Sequence, residues 1–338
     1  MKIQEQISLK NHTTFKIGGN ARYFFEAESL EDVIEAIRFA KNQVIPFFIL
    51  GGGSNTLFVS PSFDGVVIKI DIKRKEFKDI GGSVFVSVGA GEIWDEFVSD
   101  CVGKNLFGIE NLSAIPGKVG AAPIQNIGAY GTEVKNTIHS VEFFDIKNEV
   151  TRVLSKEDCL FGYRDSFFKT SEGRNFLITG VNFLLKKEGN LNFSYKDVAN
   201  YFETNDTEPT LKSMRKAIIE IRKGKFPDIK SIGTAGSFFK NPIIDLEHYS
   251  LLVSRFKGIP GIPFDSHSVK VPAGWLVERV GGFKGVRYGD VGVWENQALV
   301  LVNFGHASGQ EILSLSKKIQ EKVKSDIGIT IEPEVVII

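Results

Sequence analysis

Ile115-Pro116-Gly117-Lys118-Val119-Gly120-Ala121-Ala122-Pro123-Ile124-Gln125-Asn126-Ile127-Gly128-Ala129-Tyr130-Gly131 is the stretch on which the reading of this chain turns. Its residues are too small to build a core of their own. The run, continuing to Val134, reads as a long ordered loop that presses backbone onto a flat ligand. Gln125 and Asn126 carry both donors and acceptors, which suits the polar edge of a ring such as an isoalloxazine. A packed structural loop between sheets is the competing reading.

Upstream, the first sixty residues read β-α-β. A strand is expected over Arg22–Glu26. Ser29 with Asp32 forms a capping box for a helix carrying Leu30, Val33, Ile34 and Ile37 on one face. A buried strand Pro46–Leu50 then runs into Gly51-Gly52-Gly53-Ser54-Asn55. Successive glycine amides after a strand can form a nest for a pyrophosphate, although a plain glycine turn is equally compatible. The run is no dinucleotide fingerprint, because Thr56 stands where the third glycine belongs. Further strands are expected near Val66–Ile70, Val84–Val88, Val141–Phe144 and Leu177–Leu185. Helices are expected with Ile93, Phe97, Val98 and Val102 on one face, and over Thr210–Lys223. Beyond Pro227 the elements are shorter: a helix Trp275–Val280, a strand Ala298–Asn303, a helix Ser308–Lys324 and an apolar strand Ile329–Ile338 that returns to an earlier sheet.

The 338 residues allow two or three domains. Lys+Arg and Asp+Glu are both 41, a balance that argues against bulk electrostatic binding of nucleic acid or anionic membrane. Cys101 and Cys159 sit in no metal or redox spacing, and the five histidines are scattered, so no metal is expected. With no signal-like start and no membrane-length apolar run, a cytoplasmic protein is expected; nothing in the sequence demands an oligomer, so a monomer is expected.

The run at 115–131 is similar to the flavin-binding loop of the UDP-N-acetylenolpyruvoylglucosamine reductases. NHTTFKIGG at 11–19, LGGGSN at 50–55, GYRDSFFK at 162–169, GTAGSFFKNP at 233–242, PAGWLVERVG at 272–281 and EPEV at 332–335 resemble the same family, in its order. The resemblance implies an α+β chain: a two-domain FAD-binding fold of the vanillyl-alcohol-oxidase type plus a C-terminal α+β substrate-binding domain. The implied boundaries are 1–66 (joined by the strand 329–338), 67–224 and 225–328. It implies NADPH-dependent reduction of UDP-N-acetylglucosamine enolpyruvate through non-covalent FAD, a step of peptidoglycan precursor synthesis. The implied cofactor contacts are Gly51, Gly52, Gly53, Ser54 and Asn55, with Ile115, Pro116, Gly117, Gly120, Ala121, Gln125, Asn126, Gly128, Ala129 and Tyr130.

For catalysis the resemblance implies Ser237 as proton donor to C2, with Arg164 and Glu334 stabilising the aci-enolate that hydride addition at C3 creates. Taken without it, these three read as a turn serine, a surface arginine beside Asp165 and a strand-end glutamate. Lys225, Asn241 and Gln297 resemble substrate contacts. Tyr195 matches a tyrosine that covers the UDP part in one subclass. Two rivals stand: another flavin oxidoreductase of the superfamily, and a non-catalytic UDP-sugar or flavin binder. GGGSN holds no histidine for covalent flavin attachment, and the intact Ser237, Arg164 and Glu334 argue against the binder.

Overall fold

A computed structural model describes residues 3–338. The chain divides into two compact units. One comprises Met1–Ile7, Ala21–Gly52 and Asp64–Lys223; the other comprises Ser8–Asn20, Gly53–Phe63 and Gly224–Ile338.

In the first unit, strands β1 (Gln4–Ser8), β2 (Asn20–Ala27), β3 (Phe47–Leu50) and β5 (Ser62–Ile70) form a sheet in the order β1-β2-β5-β3. β3 and β5 run parallel, with Phe47 opposite Val66. Helix α1 (Leu30–Asn42) starts where the sequence places it: the Asp32 amide donates to Ser29 Oγ at 3.1 Å, and the Asp32 carboxylate accepts the Ser29 amide at 3.1 Å. Such a cap contributes about 1 kcal/mol. Val33, Ala36, Ile37 and Ala40, spaced for one face, are buried.

A second, antiparallel sheet follows: β6 (Lys75–Asp79), β7 (Ser83–Gly89), β10 (Ile138–Asp145), β11 (Val150–Ser155) and β12 (Phe176–Lys186), in the order β11-β10-β12-β7-β6. Its edge strands KEFKD and VTRVLS are exposed and charged, which discourages pairing with another chain. Helix α2 (Trp94–Gly103) buries Trp94, Phe97, Val98, Cys101 and Val102; Ile93, expected on this face, lies before the helix and is exposed. Phe183 packs against Phe97 at 4.9 Å and Trp94 at 6.1 Å between ring centroids. Trp94 Nε1 donates to the Leu112 carbonyl at 2.9 Å, tying α2 to the segment that leads into residue 115. Helix α3 (Lys196–Asn205) and most of α4 (Leu211–Lys225) complete this unit, sharing a small core of Val198, Phe202, Met214, Ala217 and Ile218 with Tyr130.

The second unit has small sheets: β13 (Ile243–Asp245), β14 (Ile262–Pro263) and β15 (Ser268–Lys270) in one; β16 (Arg287–Tyr288), β17 (Val291–Val293) and β18 (Leu301–Asn303) in another. Helix α5 is Leu246–Arg255. The short α6 (Ala273–Trp275) continues into a π turn, Leu276–Val280. Helix α7 (Gly309–Ile327) repeats the capping box at Ser308 and Glu311 and ends at Gly328, with φ 73°. Its buried Ile312, Leu315, Ile319 and Val323 join one core with Phe15, Ile17, Leu57, Phe238 and Phe239.

That core amends the expected boundaries. Residues 8–20 and 53–63 bury their apolar side chains with the C-terminal part, so 1–66 is not one body. The C-terminal strand is also shorter than expected. Its one regular strand is β19 (Val336–Ile337), which pairs in parallel with β4 (Thr56–Leu57) as a separate two-stranded sheet, while Pro333 makes an isolated antiparallel bridge to Phe239.

Candidate active site

In the first unit the loop 115–131 is held by backbone at its start and by side chains at its end. Gly117 accepts from Trp94 N at 3.1 Å, Val119 N donates to the Glu92 carbonyl at 2.9 Å, and Gly120 N donates to Ala90 at 3.0 Å. Ile115 and Pro116 are half-buried, as is Gln125. Gly51 and Gly52 follow β3 against this loop; a Cβ on Gly52 would stand 2.8 Å from Gly117 Cα. The glycine there is what lets two main chains touch. Gly51, Gly120 and Ala121, with Lys118, line an otherwise mostly apolar cavity of ≈ 210 Å³ that also meets Phe47, Ile49, Phe176 and Ile178. Its glycine walls and apolar faces fit one flat heterocyclic end of a dinucleotide such as FAD.

Lys118 Nζ donates to Asp71 Oδ1 and to the Gly91 carbonyl, both at 2.8 Å. Burial lowers the Lys118 pKa, against the pull of Asp71. Lys73 shares both acceptors, so two ammonium groups face one carboxylate.

Asn126 is fully buried with φ 43°. Its Nδ2 donates to Glu133 Oε2 at 3.0 Å and to the Gly162 carbonyl at 2.9 Å, and its Oδ1 accepts from Lys135 N at 3.1 Å. With these three bonds the amide holds the loop from within. Gly128–Ala129 and Thr132–Glu133 form a hairpin, β8 and β9, whose tip residues Tyr130 and Gly131 have φ 48° and 80°. Positive φ at both positions is what a two-residue hairpin turn requires. Arg164, itself at φ 52°, donates from NH2 to the Gly128 carbonyl at 2.5 Å and from NH1 to Asn126 O at 3.5 Å. The guanidinium is thus fixed on the outgoing half of the loop. Tyr195 precedes α3, is 41% exposed, and meets Tyr130 edge-on at 5.2 Å.

Sequence reasoning missed the arginines of α4. Arg215 grips Asp95 through NH1 at 2.5 Å and NH2 at 2.9 Å, and Asp95 also accepts from Ala114 N at 2.5 Å. Burial would raise the Asp95 pKa; Arg215, the Ala114 amide and Arg222 outweigh it and hold the carboxyl below its ordinary value. Arg222 Nε donates to the Ala114 carbonyl at 3.1 Å, and its guanidinium hydrogen-bonds Tyr130. Burial lowers the Arg222 pKa, against Tyr130 and Asp95. Spacing seven apart on one helix, beside apolar Leu211 and Ile218, was the signal available.

The second unit gathers Asn55, Ser237 and Glu334 by main-chain pairing. Ser237 bridges Val300, Phe238 N donates to the Leu299 carbonyl at 2.8 Å, and Glu334 N donates to Phe238 O at 2.7 Å. The serine segment thus lies between the segments carrying Gln297 and Glu334. Asn55 Nδ2 donates to Glu334 O at 3.1 Å, and Val336 N donates to Asn55 O at 2.9 Å. Gly53 and Ser54 precede it here; the Gly53 carbonyl accepts from Thr14 N at 3.1 Å. Asn241 Oδ1 accepts from Ala273 N at 2.9 Å, at the start of α6. Gln297, expected at the head of a strand, lies in a turn closed by Val300 N donating to its carbonyl at 3.0 Å; the strand begins at Leu301. Lys225 is the last residue of α4.

Residues 21–154 match a family described as FAD binding domain, and 228–338 match the UDP-N-acetylenolpyruvoylglucosamine reductase C-terminal domain. A UDP-N-acetylenolpyruvoylglucosamine reductase of Flavobacterium johnsoniae is 45% identical over 100% of both chains. One from Pseudomonas syringae is 42% identical over 99% of this chain and 98% of its own. The crystal structure of the Thermus caldophilus reductase covers 100% of this chain and 99% of its own, with a TM-score of 0.71 at 24% identity, a likeness of fold. The chain belongs to the UDP-N-acetylenolpyruvoylglucosamine reductase family of FAD-dependent oxidoreductases.

Proposed function

We propose that the protein reduces UDP-N-acetylglucosamine enolpyruvate to UDP-N-acetylmuramate with NADPH as hydride donor, in peptidoglycan precursor synthesis. When bound, FAD would supply two-electron hydride storage between NADPH and C3 of the enolpyruvyl group. Gly51, Gly52 and the loop 115–131 would hold it in the first unit, where the glycine-walled cavity fits part of such a molecule. Conjugation with the carboxylate makes C3 electrophilic. Negative charge then collects on the substrate carboxylate, where the Arg164 guanidinium and Glu334 stabilise it. The Ser237 hydroxyl delivers a proton to C2, so one hydride and one proton saturate the double bond. Tyr195, Lys225, Asn241 and Gln297 bind the sugar nucleotide. Residues 225–328 would form the substrate-binding part, as the sequence reading has it.

The observation that supports this most is the main-chain pairing in the second unit that brings the segment carrying Ser237 against the segment carrying Glu334, nearly one hundred positions apart in a chain of this family. The test is spectroscopic. The purified protein should be yellow, bleach with NADPH under anaerobic conditions, and regain its colour when the enolpyruvyl sugar nucleotide is added. Bleaching without recovery on adding that substrate would overturn the assignment in favour of another acceptor.

A further inference from the structure

Asn111 takes no part in the chemistry above, yet it is completely buried in a single turn, Glu110–Leu112, between α2 and the loop at 115. Its Nδ2 splits its two protons between two carbonyls from distant segments: Tyr130 O at 2.9 Å, at the tip of the β8–β9 hairpin, and Asn192 O at 2.9 Å, ahead of Tyr195. Its Oδ1 is buried with no hydrogen-bond partner among the described residues. A buried amide that leaves its acceptor unsatisfied has been kept for its donors. Asn192 answers from the other side. Its Nδ2 donates to Gly131 O at 2.9 Å, and its Oδ1 accepts from Ser194 N at 2.9 Å. The segment 189–194 has no regular secondary structure, so few main-chain bonds place it.

We propose that Asn111 is a positioning residue that clamps the segment 191–195 onto the Tyr130 hairpin and so sets where Tyr195 stands. The inference rests on the reading of Tyr195 as a sugar-nucleotide contact. Tyr130, pinned through its carbonyl, meets the Tyr195 ring edge-on, so displacing either strand of the clamp moves that aromatic pair.

Hydrogen–deuterium exchange on the FAD-loaded protein, with steady-state kinetics, tests this. Asn111→Asp keeps the shape but turns an anionic acceptor toward two carbonyl oxygens; Asn111→Leu removes donors and acceptor together. Both should speed exchange over residues 188–196 and raise KM for the enolpyruvyl sugar nucleotide at least about tenfold, as expected of two lost hydrogen bonds. Flavin reduction by NADPH should change less than KM does, since Asn111 meets the loop at the Tyr130 carbonyl alone; a change there as large as that in KM overturns the proposal in favour of a general role in holding the loop. The effect of Asp should equal or exceed that of Leu, because Asp sets an acceptor against both carbonyls where Leu only removes the donors. Parental exchange over 188–196 in Asn111→Asp overturns the proposal. Raised exchange with an unchanged KM supports the clamp and overturns the role of Tyr195, in which case Tyr195→Ala leaves KM unchanged as well. If neither Asn111 variant retains FAD, Asn192→Ala cuts the clamp from its exposed side, with the same two readouts and the same reversing result.

Discussion

The loop 115–131 and the Ser237 strand are both candidate catalytic parts, but they are built in opposite ways. The outgoing half of the loop bends through positive φ at Asn126, Tyr130 and Gly131, and side chains hold the bends: Asn126 on Gly162, Arg164 on Gly128, Asn111 on Tyr130. The Ser237 segment is held by main chain through isolated bridges, with Phe238 bonded to Leu299 on one side and Glu334 on the other. A curved cradle must be locked from outside because it cannot satisfy its own amides and carbonyls, whereas paired strands satisfy each other. Substitutions in the loop should therefore damage shape, and substitutions on the strand should damage chemistry alone.

Ser237→Ala should show the largest effect. Flavin reoxidation by the sugar nucleotide slows by about a thousandfold, roughly 4 kcal/mol, while reduction by NADPH and Tm stay near the parent. Rapid-mixing spectroscopy of the two half-reactions checks it. Equal slowing of both halves, or a lowered Tm, would break the contrast at its strand side.

Asn126→Ala comes next. It strands the half-buried Gly162 carbonyl and Lys135 amide, at about 1 kcal/mol each. Size-exclusion chromatography should show loss of flavin, and calorimetry a lowered Tm. A variant that keeps its flavin and its Tm would mean that the loop holds its own shape.

The smallest effect is expected at the root of the loop. The Asp95 carboxyl is held below its ordinary value, so its stabilisation is complete above the unfolded-state value of about 4 and is lost as pH falls through the folded-state value. Asp95→Asn should lower Tm by a few degrees at pH 7, and the deficit should close on acidification below about pH 4. A deficit independent of pH would show that Arg215 and Ala114 need only the shape of Asp95.

Much of this was legible beforehand. The Ser29–Asp32 capping box, the buried stripe of α1 and the extent of α7 follow from spacing that survives in any context. β6 and β11 were not read, because an edge strand exposed on both faces shows no alternation. α3 and α5 were missed too, each a short helix with few buried residues. Ser237 and Glu334 could be named by resemblance, but the pairing of their segments could not, since nothing local records which segments pair.

Residue types, spacings and order along the chain determined the helices and central strands, the glycine runs that let backbone approach backbone, and the family. Tertiary structure decided that residues 8–20 and 53–63 fold with the C-terminal part, that Asn126 spends its amide inward, and that Arg222 and Asn111 anchor the loop from outside. The reason is range: helical and strand periodicity is set by neighbours a few positions away. A buried donor, by contrast, is committed by whichever carbonyl the completed fold brings to it.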